Sequence, residues 1–175
     1  MTDEALRYPI GKFSPQDTYT PEQLLQCIVR IDTLPARIEA VVHNFSGHDY
    51  NTPYREGGWT ARQVMHHLPD SHMNAYIRFK WTLTENTPVI KAYNEKLWAE
   101  TGETVLDPLI SLNLLKALHV KWVALLRTLT AEDLRREYIH PDTRKNNRLD
   151  RIVAMYAWHG DHHLGHLKVI AAKPH

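Results

Sequence analysis

Residues 149–171 read LDRIVAMYAWHGDHHLGHLKVIA, and their apolar side chains recur with the period of an α-helix. At about 100° per residue, a set of apolar side chains falls within about 60° of Leu149 on a helical projection. They are Ile152, Val153, Tyr156, Leu164, Leu167 and Ile170. A stripe of this width is typical of a helix that packs one face against a core, so we predict a long amphipathic helix here.

The same segment carries four histidines within eight residues: His159, His162, His163 and His166. They form two pairs with the i,i+4 spacing that places side chains on one helix face. Two imidazoles one turn apart can share a divalent metal ion, because each offers a neutral ring nitrogen. His163 lies about 40° and His159 about 80° from the direction of Leu149, so this pair is predicted to face inward. His166 and His162 lie farther round, at about 100° and 140°, and are predicted to be peripheral.

Three further segments have helical periodicity and recognisable starts. Thr20 to Gln23 and Thr60 to Gln63 form capping-box patterns, and Asp107-Pro108 is a third start signal. We expect helices over about 20–42, with a kink at Pro35, over 60–84 and over 107–129. Residues 46–58, 85–107 and 138–142 are predicted to be loops, and strand signals are nearly absent. The pattern therefore predicts an all-α fold, a four-helix bundle whose long loops allow crossover connections.

The composition favours one ordinary globular domain spanning residues 1–175. A net charge of +1 without a basic block gives no sign of a nucleic-acid partner. Uninterrupted apolar runs fall well short of the roughly 18–20 residues of a membrane span, so no membrane association is expected. The single cysteine, Cys27, excludes an internal disulfide. Together with the lack of a signal-peptide pattern, it leads us to expect a cytoplasmic protein.

A third metal ligand must come from elsewhere in the chain, and a second histidine cluster upstream offers His66, His67 and His72. His72 lies near the centre of the apolar face of its predicted helix, His67 lies at the margin of that face, and His66 points away. Pro69 changes the local twist, because it removes a backbone donor and clashes with a carbonyl one turn earlier. Periodicity alone therefore leaves both His67 and His72 open as ligands.

Several longer motifs resemble the YfiT-like subgroup of the DinB-like superfamily, and the resemblance covers nearly the full chain. They are Tyr8 to Gly11, Thr52 to Thr60 (TPYREGGWT), Arg62-Gln63, His66-His67-Leu68, Asp70 to Asn74, Arg78-Phe79-Lys80, Tyr138 to Thr143, Trp158-His159, His162-His163 and His166. This resemblance implies a four-helix bundle that binds one divalent metal ion per subunit, zinc first and nickel second, and that forms a homodimer.

The resemblance also assigns the ligands, as His67, His159 and His163. It agrees with the helical projection for the last two and selects His67 where periodicity could not. One departure is Pro69, which replaces the small helix-forming residue usual in this subgroup and lies two positions from a proposed ligand. Metal geometry could therefore differ from that of its relatives.

Three neutral imidazoles leave a coordination position open, which suits catalysis better than a structural site closed by a fourth ligand. The resemblance then implies a hydrolase that attacks a small molecule with metal-activated water. The first alternative is a thiol S-transferase that conjugates a low-molecular-weight thiol, such as bacillithiol, to electrophiles. The second is a non-catalytic metal-binding module. The sequence does not choose between water and thiol.

The remaining candidates have simpler explanations. His66, His72, His162 and His166 are most simply packing, ligand-supporting or dimer-surface residues. Tyr54, Arg55, Asn74 and Arg78 could orient an anionic cosubstrate. Asp70 could hold the second ring nitrogen of a ligand histidine, although a solvated helix position is the simpler interpretation. Trp59 and Trp158 flank the predicted site and could form its walls.

Overall fold

The structure, a computed structural model, describes residues 2–173, and four long helices form its frame. In chain order the elements are α1 (Asp3–Arg7), α2 (Pro21–Val42), α3 (Gly47–Asn51), α4 (Ala61–Thr84), α5 (Glu95–Trp98), a 3₁₀ turn (Gly102–Val105), α6 (Pro108–Leu126), α7 (Ala131–Arg135), β1 (Glu137–Ile139), β2 (Asn146–Arg148) and α8 (Leu149–Ala171). The four long helices α2, α4, α6 and α8 correspond to the four predicted helical segments.

The helix starts follow from local hydrogen bonding. Thr20 and Thr60 each accept a bond from the backbone of a glutamine three residues later, whose side chain bonds back to the cap. Asp107 caps α6 by accepting from the N–H of Leu109. These capping bonds satisfy backbone donors that have no partner within the helix. Both α2 and α4 continue through their internal prolines, Pro35 and Pro69.

The long helices pack in the cyclic order α2, α8, α4, α6, so that each contacts two neighbours. The consecutive helices α2 and α4 are therefore diagonal to each other, as are α6 and α8. A connection between diagonal helices must cross the end of the bundle, in contrast to the short turns of an up-and-down arrangement. The predicted fold class, an all-α four-helix bundle with crossover loops, is confirmed.

Two clusters of buried side chains fill the bundle. The first contains Phe79, Trp122 and Tyr156, and the second contains Leu68, Leu115 and Leu167. Their apolar burial is the main favourable contribution to folding. The histidines of the candidate site contact both clusters, since His159 lies against Tyr156 and His67 lies against Trp59, which packs on the second cluster.

A short β-hairpin adds to the predicted helices. Strands β1 and β2 pair antiparallel, with Glu137 opposite Arg148 and Ile139 opposite Asn146. The expectation of a loop over 138–142 was therefore wrong at its first two residues, where Tyr138 is buried in the core. A strand of three residues is too short to show the alternation by which a strand is recognised. The segments predicted as loops over 46–58 and 85–107 likewise contain short helices, α3 in the first and α5 with the 3₁₀ turn in the second.

Within residues 2–173, α6 is the one helix whose length and composition would allow it to cross a membrane. It packs against α2 and α4 and buries Leu115 and Trp122 in the core. Helices buried in the core of a protein can have the same length and composition. The helix ends at Leu126, three residues before the predicted end.

Candidate metal centre

The three histidines predicted as ligands come together between α4 and α8. Each of His67, His159 and His163 offers a nitrogen, and these nitrogens lie within 4.8 Å of one another. The Nε2 atoms of His67 and His159 are 3.3 Å apart. Two nitrogens each bound at about 2.0–2.1 Å to one tetrahedral ion would be separated by about 3.3 Å. The donor set therefore fits a shared metal ion.

Helix geometry and close packing hold this arrangement in place. His159 and His163 are one turn apart on α8, with their ring centroids 4.6 Å from each other. The indole of Trp59 lies with its ring centroid 4.6 Å from that of His67 and 6.2 Å from that of His163. Gly160, the residue after His159 on α8, allows close contact with the side chain of Leu34 of α2. Helix spacing and these packing contacts together hold the imidazole rings in place.

Burial keeps these imidazoles neutral. It lowers the pKa of His67 to about 4. Burial, followed by the neighbouring histidines, holds the pKa values of His159 and His163 well below the usual range. A neutral imidazole is the form that binds a metal ion, so protons compete weakly for these nitrogens near pH 7.

The prediction that His162 and His166 are peripheral was wrong. His162 is 9% exposed and His166 is 2% exposed, because the N-terminal segment covers this face of α8. The ring of Tyr8 lies 5.9 Å from that of His162, and the carbonyl of Arg7 accepts a 3.2 Å bond from His166 Nε2. A helical projection of α8 contains no information about a segment more than a hundred residues away.

The α4 histidines divide into different roles. His66, predicted to point away, is buried, with its Nδ1 2.7 Å from Ser111 Oγ. His72 is fully buried, as its central position on the apolar face predicted. Its ring nitrogens contact His119 and His159 and lie outside the three-histidine cluster. Of the two ligands that periodicity left open, the structure places His67 in the cluster.

One buried histidine was missed by the sequence analysis. His119 of α6 is 1% exposed and lies 2.9 Å from His72. Burial lowers its pKa to about 4. The signal was present, because position 119 follows Leu115 by four residues and precedes Trp122 by three, on the apolar stripe of α6. A polar residue in the centre of such a stripe indicates a buried hydrogen-bonded group.

A cavity of about 380 Å³ opens beside the three histidines. Trp59 and Trp158 line it, as expected, together with Tyr54. Charged side chains contribute to the same lining: Arg7, Arg55, Glu95 and Lys96. A larger, mostly apolar cavity of about 640 Å³ lies elsewhere, between the ends of α2, α6 and α7. The cavity at the histidines combines the candidate ligands with three cationic side chains and one carboxylate, and we call this charged part of its lining the basic rim.

The other polar candidates lie outside this lining. Arg78 is buried beside Tyr138, and Asn74 bonds to the backbone carbonyl of Asp70. Burial, and secondly Glu103, raises the pKa of the half-buried Asp70 to about 6. The Nδ1 atom of His159 is 3.2 Å from His72, so a histidine takes the position that Asp70 could have had.

Comparison with known proteins places these features in a family context. Residues 30–167 match the family model of the DinB superfamily. A candidate metal-dependent hydrolase of Bacillus subtilis, YfiT, is 44% identical over 174 residues, which cover 99% of this chain and 98% of that protein. A candidate metal-dependent hydrolase of Bacillus cereus (strain AH820) is 46% identical over 162 residues, 93% of either protein.

The same similarity holds in three dimensions. The solved structure of Bacillus subtilis YfiT, described there as a candidate metal-dependent hydrolase with an unusual four-helix bundle topology, superposes with a TM-score of 0.92. Its sequence is 45% identical to this one, and the match covers 95% of each chain. The part of the chain that matches the family model, residues 30–167, includes His67, His159 and His163.

Proposed function

The chain belongs to the DinB superfamily, and we propose that it is a metal-dependent hydrolase acting on a small molecule. The observation that carries this proposal is the convergence of three buried, neutral histidines, His67, His159 and His163, beside a cavity. Within residues 2–173 the cluster contains these three residues, which leaves a tetrahedral ion one position for an outside ligand. Imidazole donors suit zinc, our first expectation, and nickel, our second.

A divalent ion in this site would supply Lewis acidity, which lowers the pKa of coordinated water to about 7. The chain's own contribution is a donor set without charge, so that the positive charge of the site is left for an anionic or polarised substrate group. Trp59 and Trp158 contribute apolar surface to the wall of the cavity beside the histidines. Arg7, Arg55 and Lys96 supply positive charge at the same cavity, and Glu95 supplies a carboxylate that can accept a proton.

A thiol S-transferase is the second candidate, and the basic rim of the cavity favours it. The same open position would accept a thiolate, because a bound metal favours the deprotonated form. The thiol would have to be a separate molecule, since Cys27 is buried against the first core cluster. An anionic, low-molecular-weight thiol would complement Arg7 and Arg55.

The test is a turnover assay on tag-free protein loaded with zinc or with nickel. Small esters, amides and an electrophilic thiol acceptor are offered with and without low-molecular-weight thiols, and products are identified by mass spectrometry. His67→Ala and His163→Ala remove proposed ligands, whereas His48→Ala removes an exposed histidine of α3 and serves as the matched control.

Hydrolysis without added thiol, abolished in His67→Ala and retained in His48→Ala, is the expected result. Conjugation that depends on thiol would replace hydrolysis with the transferase function. Stoichiometric metal without turnover of any substrate class would overturn both enzymatic functions and leave a metal-binding module. Equal activity of the ligand variants and the wild type would remove the three histidines from the mechanism.

A further inference from the structure

Three buried histidines outside the candidate ligand set, His72, His119 and His166, each have both ring nitrogens at hydrogen-bond distance from other groups. Each is at most 2% exposed. Buried polar groups need hydrogen-bond partners, and a neutral imidazole has one donor and one acceptor nitrogen. These histidines are linked in chains of hydrogen bonds, and the donor and acceptor of each bond follow once the donor at one end of a chain is known.

The first chain of hydrogen bonds begins at a backbone carbonyl of α2. His119 Nδ1 lies 2.6 Å from the carbonyl oxygen of Ile31. A carbonyl can only accept, so the proton is on Nδ1 of His119. This carbonyl is available because the residue four positions later is Pro35, which lacks the N–H that would otherwise bond to it.

The donor and acceptor nitrogens of the next histidines follow from this first assignment. His119 Nε2 is then an acceptor, and it receives the Nδ1–H of His72 at 2.9 Å. His72 Nε2 becomes an acceptor in turn and receives the Nδ1–H of His159 at 3.2 Å. The nitrogen left without a proton is Nε2 of His159, which faces Nε2 of His67 in the three-histidine cluster.

A shorter chain reaches the other α8 histidine of the cluster. The carbonyl of Arg7 accepts from Nε2 of His166 at 3.2 Å, which makes His166 Nδ1 an acceptor. Nδ1 of His163 lies 3.4 Å from this atom and is its donor. His163 is therefore also protonated on Nδ1 and keeps a free lone pair on Nε2.

We propose that His72, His119 and His166 are positioning residues that hold His159 and His163 as Nδ1–H tautomers, so that both present Nε2 to the metal ion. This proposal rests on the proposed metal centre. The hydrogen bond made by one ring nitrogen determines which nitrogen is free to ligate, and such supporting partners orient the ring as well. Here both supports end on backbone carbonyls, those of Ile31 and Arg7.

The test is the tautomer of each ring, measured by two-bond ¹⁵N–¹H correlation NMR on the metal-free wild-type protein near pH 7. We expect the Nδ1–H form for both His159 and His163. His72→Leu removes the acceptor for His159, and His166→Leu removes the acceptor for His163. Each variant is expected to change the tautomer of its own partner and to leave the other one unchanged, a crossed result that general destabilisation would not produce.

His72→Gln is the conservative counterpart of His72→Leu, because its amide oxygen can accept from His159 Nδ1. Zinc affinity, measured by competition with a chromogenic chelator, should fall about 10–100-fold in His72→Leu and recover in His72→Gln. An Nε2–H tautomer at His159 or His163 of the wild type would overturn the proposal, and that measurement needs no variant to fold. Nδ1–H tautomers that shift as expected would support the positioning assignment even if the zinc-loaded protein hydrolyses nothing, so the two proposals fail separately.

Discussion

A Cβ atom placed on Gly165 of α8 would lie 2.7 Å from Cγ of Pro9, so the last helix and the N-terminal segment touch where a side chain has no room. The contact matters because of its neighbours. His166 follows Gly165, and Arg7, two residues before Pro9, supplies the carbonyl to which His166 bonds. A glycine on the helix surface thus allows the N-terminal segment to cover the histidine face of α8.

Replacing this glycine should destabilise the protein. Gly165→Ala would press a methyl group against the rigid ring of Pro9, and overpacking of this kind typically costs about 1–3 kcal/mol. The intrinsic helix preference of alanine offsets about 1 kcal/mol of that cost. We expect a net lower free energy of unfolding in urea titrations. Gly47→Ala is the control, since Gly47 has open space around it in α3, and equal stability of both variants would contradict this prediction.

Gly160→Ala should be destabilising for a related reason on the opposite face of α8. Its methyl group would overlap the side chain of Leu34, which is buried in α2 and has little room to move. The expected drop is about 2–4 °C in Tm for each kcal/mol lost. A double-mutant cycle measures it: Leu34→Ala should make Gly160→Ala nearly neutral. If the stability losses of Gly160→Ala and Leu34→Ala were additive, the strain in Gly160→Ala would not arise from contact with Leu34.

The fold was predictable because its signals are local and repeated. The Thr20 and Thr60 caps and the four apolar stripes each specify a helix without reference to the rest of the chain. The hairpin at Tyr138 was not predictable, because its three-residue strands carry no periodicity and their pairing depends on the fold around them. Local patterns therefore identified the bundle and missed the small element that packs against it.

The site was predictable only in part. The spacing of His159 and His163 indicates a shared face, and that inference needs α8 alone. Choosing His67 over His72 needed the resemblance to a family, because both lie near the same apolar face and only packing separates them. The burial of His166 depends on Arg7, and no helical projection contains that contact. Local sequence patterns contain no information about contacts between residues that are distant in sequence.

Removing a proposed ligand should remove the metal. We expect near-stoichiometric zinc or nickel in tag-free wild-type protein by inductively coupled plasma mass spectrometry, and a loss of that metal in His67→Ala, His159→Ala and His163→Ala. His48→Ala, which changes an exposed histidine, should keep it. Because a metal that binds only the folded state stabilises it, chelation should lower Tm in the wild type and not in the ligand variants. Metal retained by all three variants would place the ion elsewhere.

The stability of the metal-free protein should fall on mild acidification, and His119 should account for part of the fall. Its pKa is lowered by burial from 6.5 to about 4 in the folded state. Below pH 6.5 the unfolded chain binds a proton here that the folded protein does not, so the free energy of unfolding decreases as the pH falls toward about 4. Such a group contributes about 1.4 kcal/mol per pH unit over this interval.

His119→Gln tests this assignment, because glutamine keeps a polar amide and does not titrate. Urea unfolding of the chelator-treated protein at several pH values should show a shallower pH dependence in His119→Gln than in the wild type. His48→Gln changes a histidine that is exposed in the fold and should retain the full wild-type slope. A slope unchanged by His119→Gln would mean that the buried imidazole is protonated in the folded state as readily as in the unfolded one. Its bond to the Ile31 carbonyl would then be compatible with either charge, because a protonated ring also donates through Nδ1.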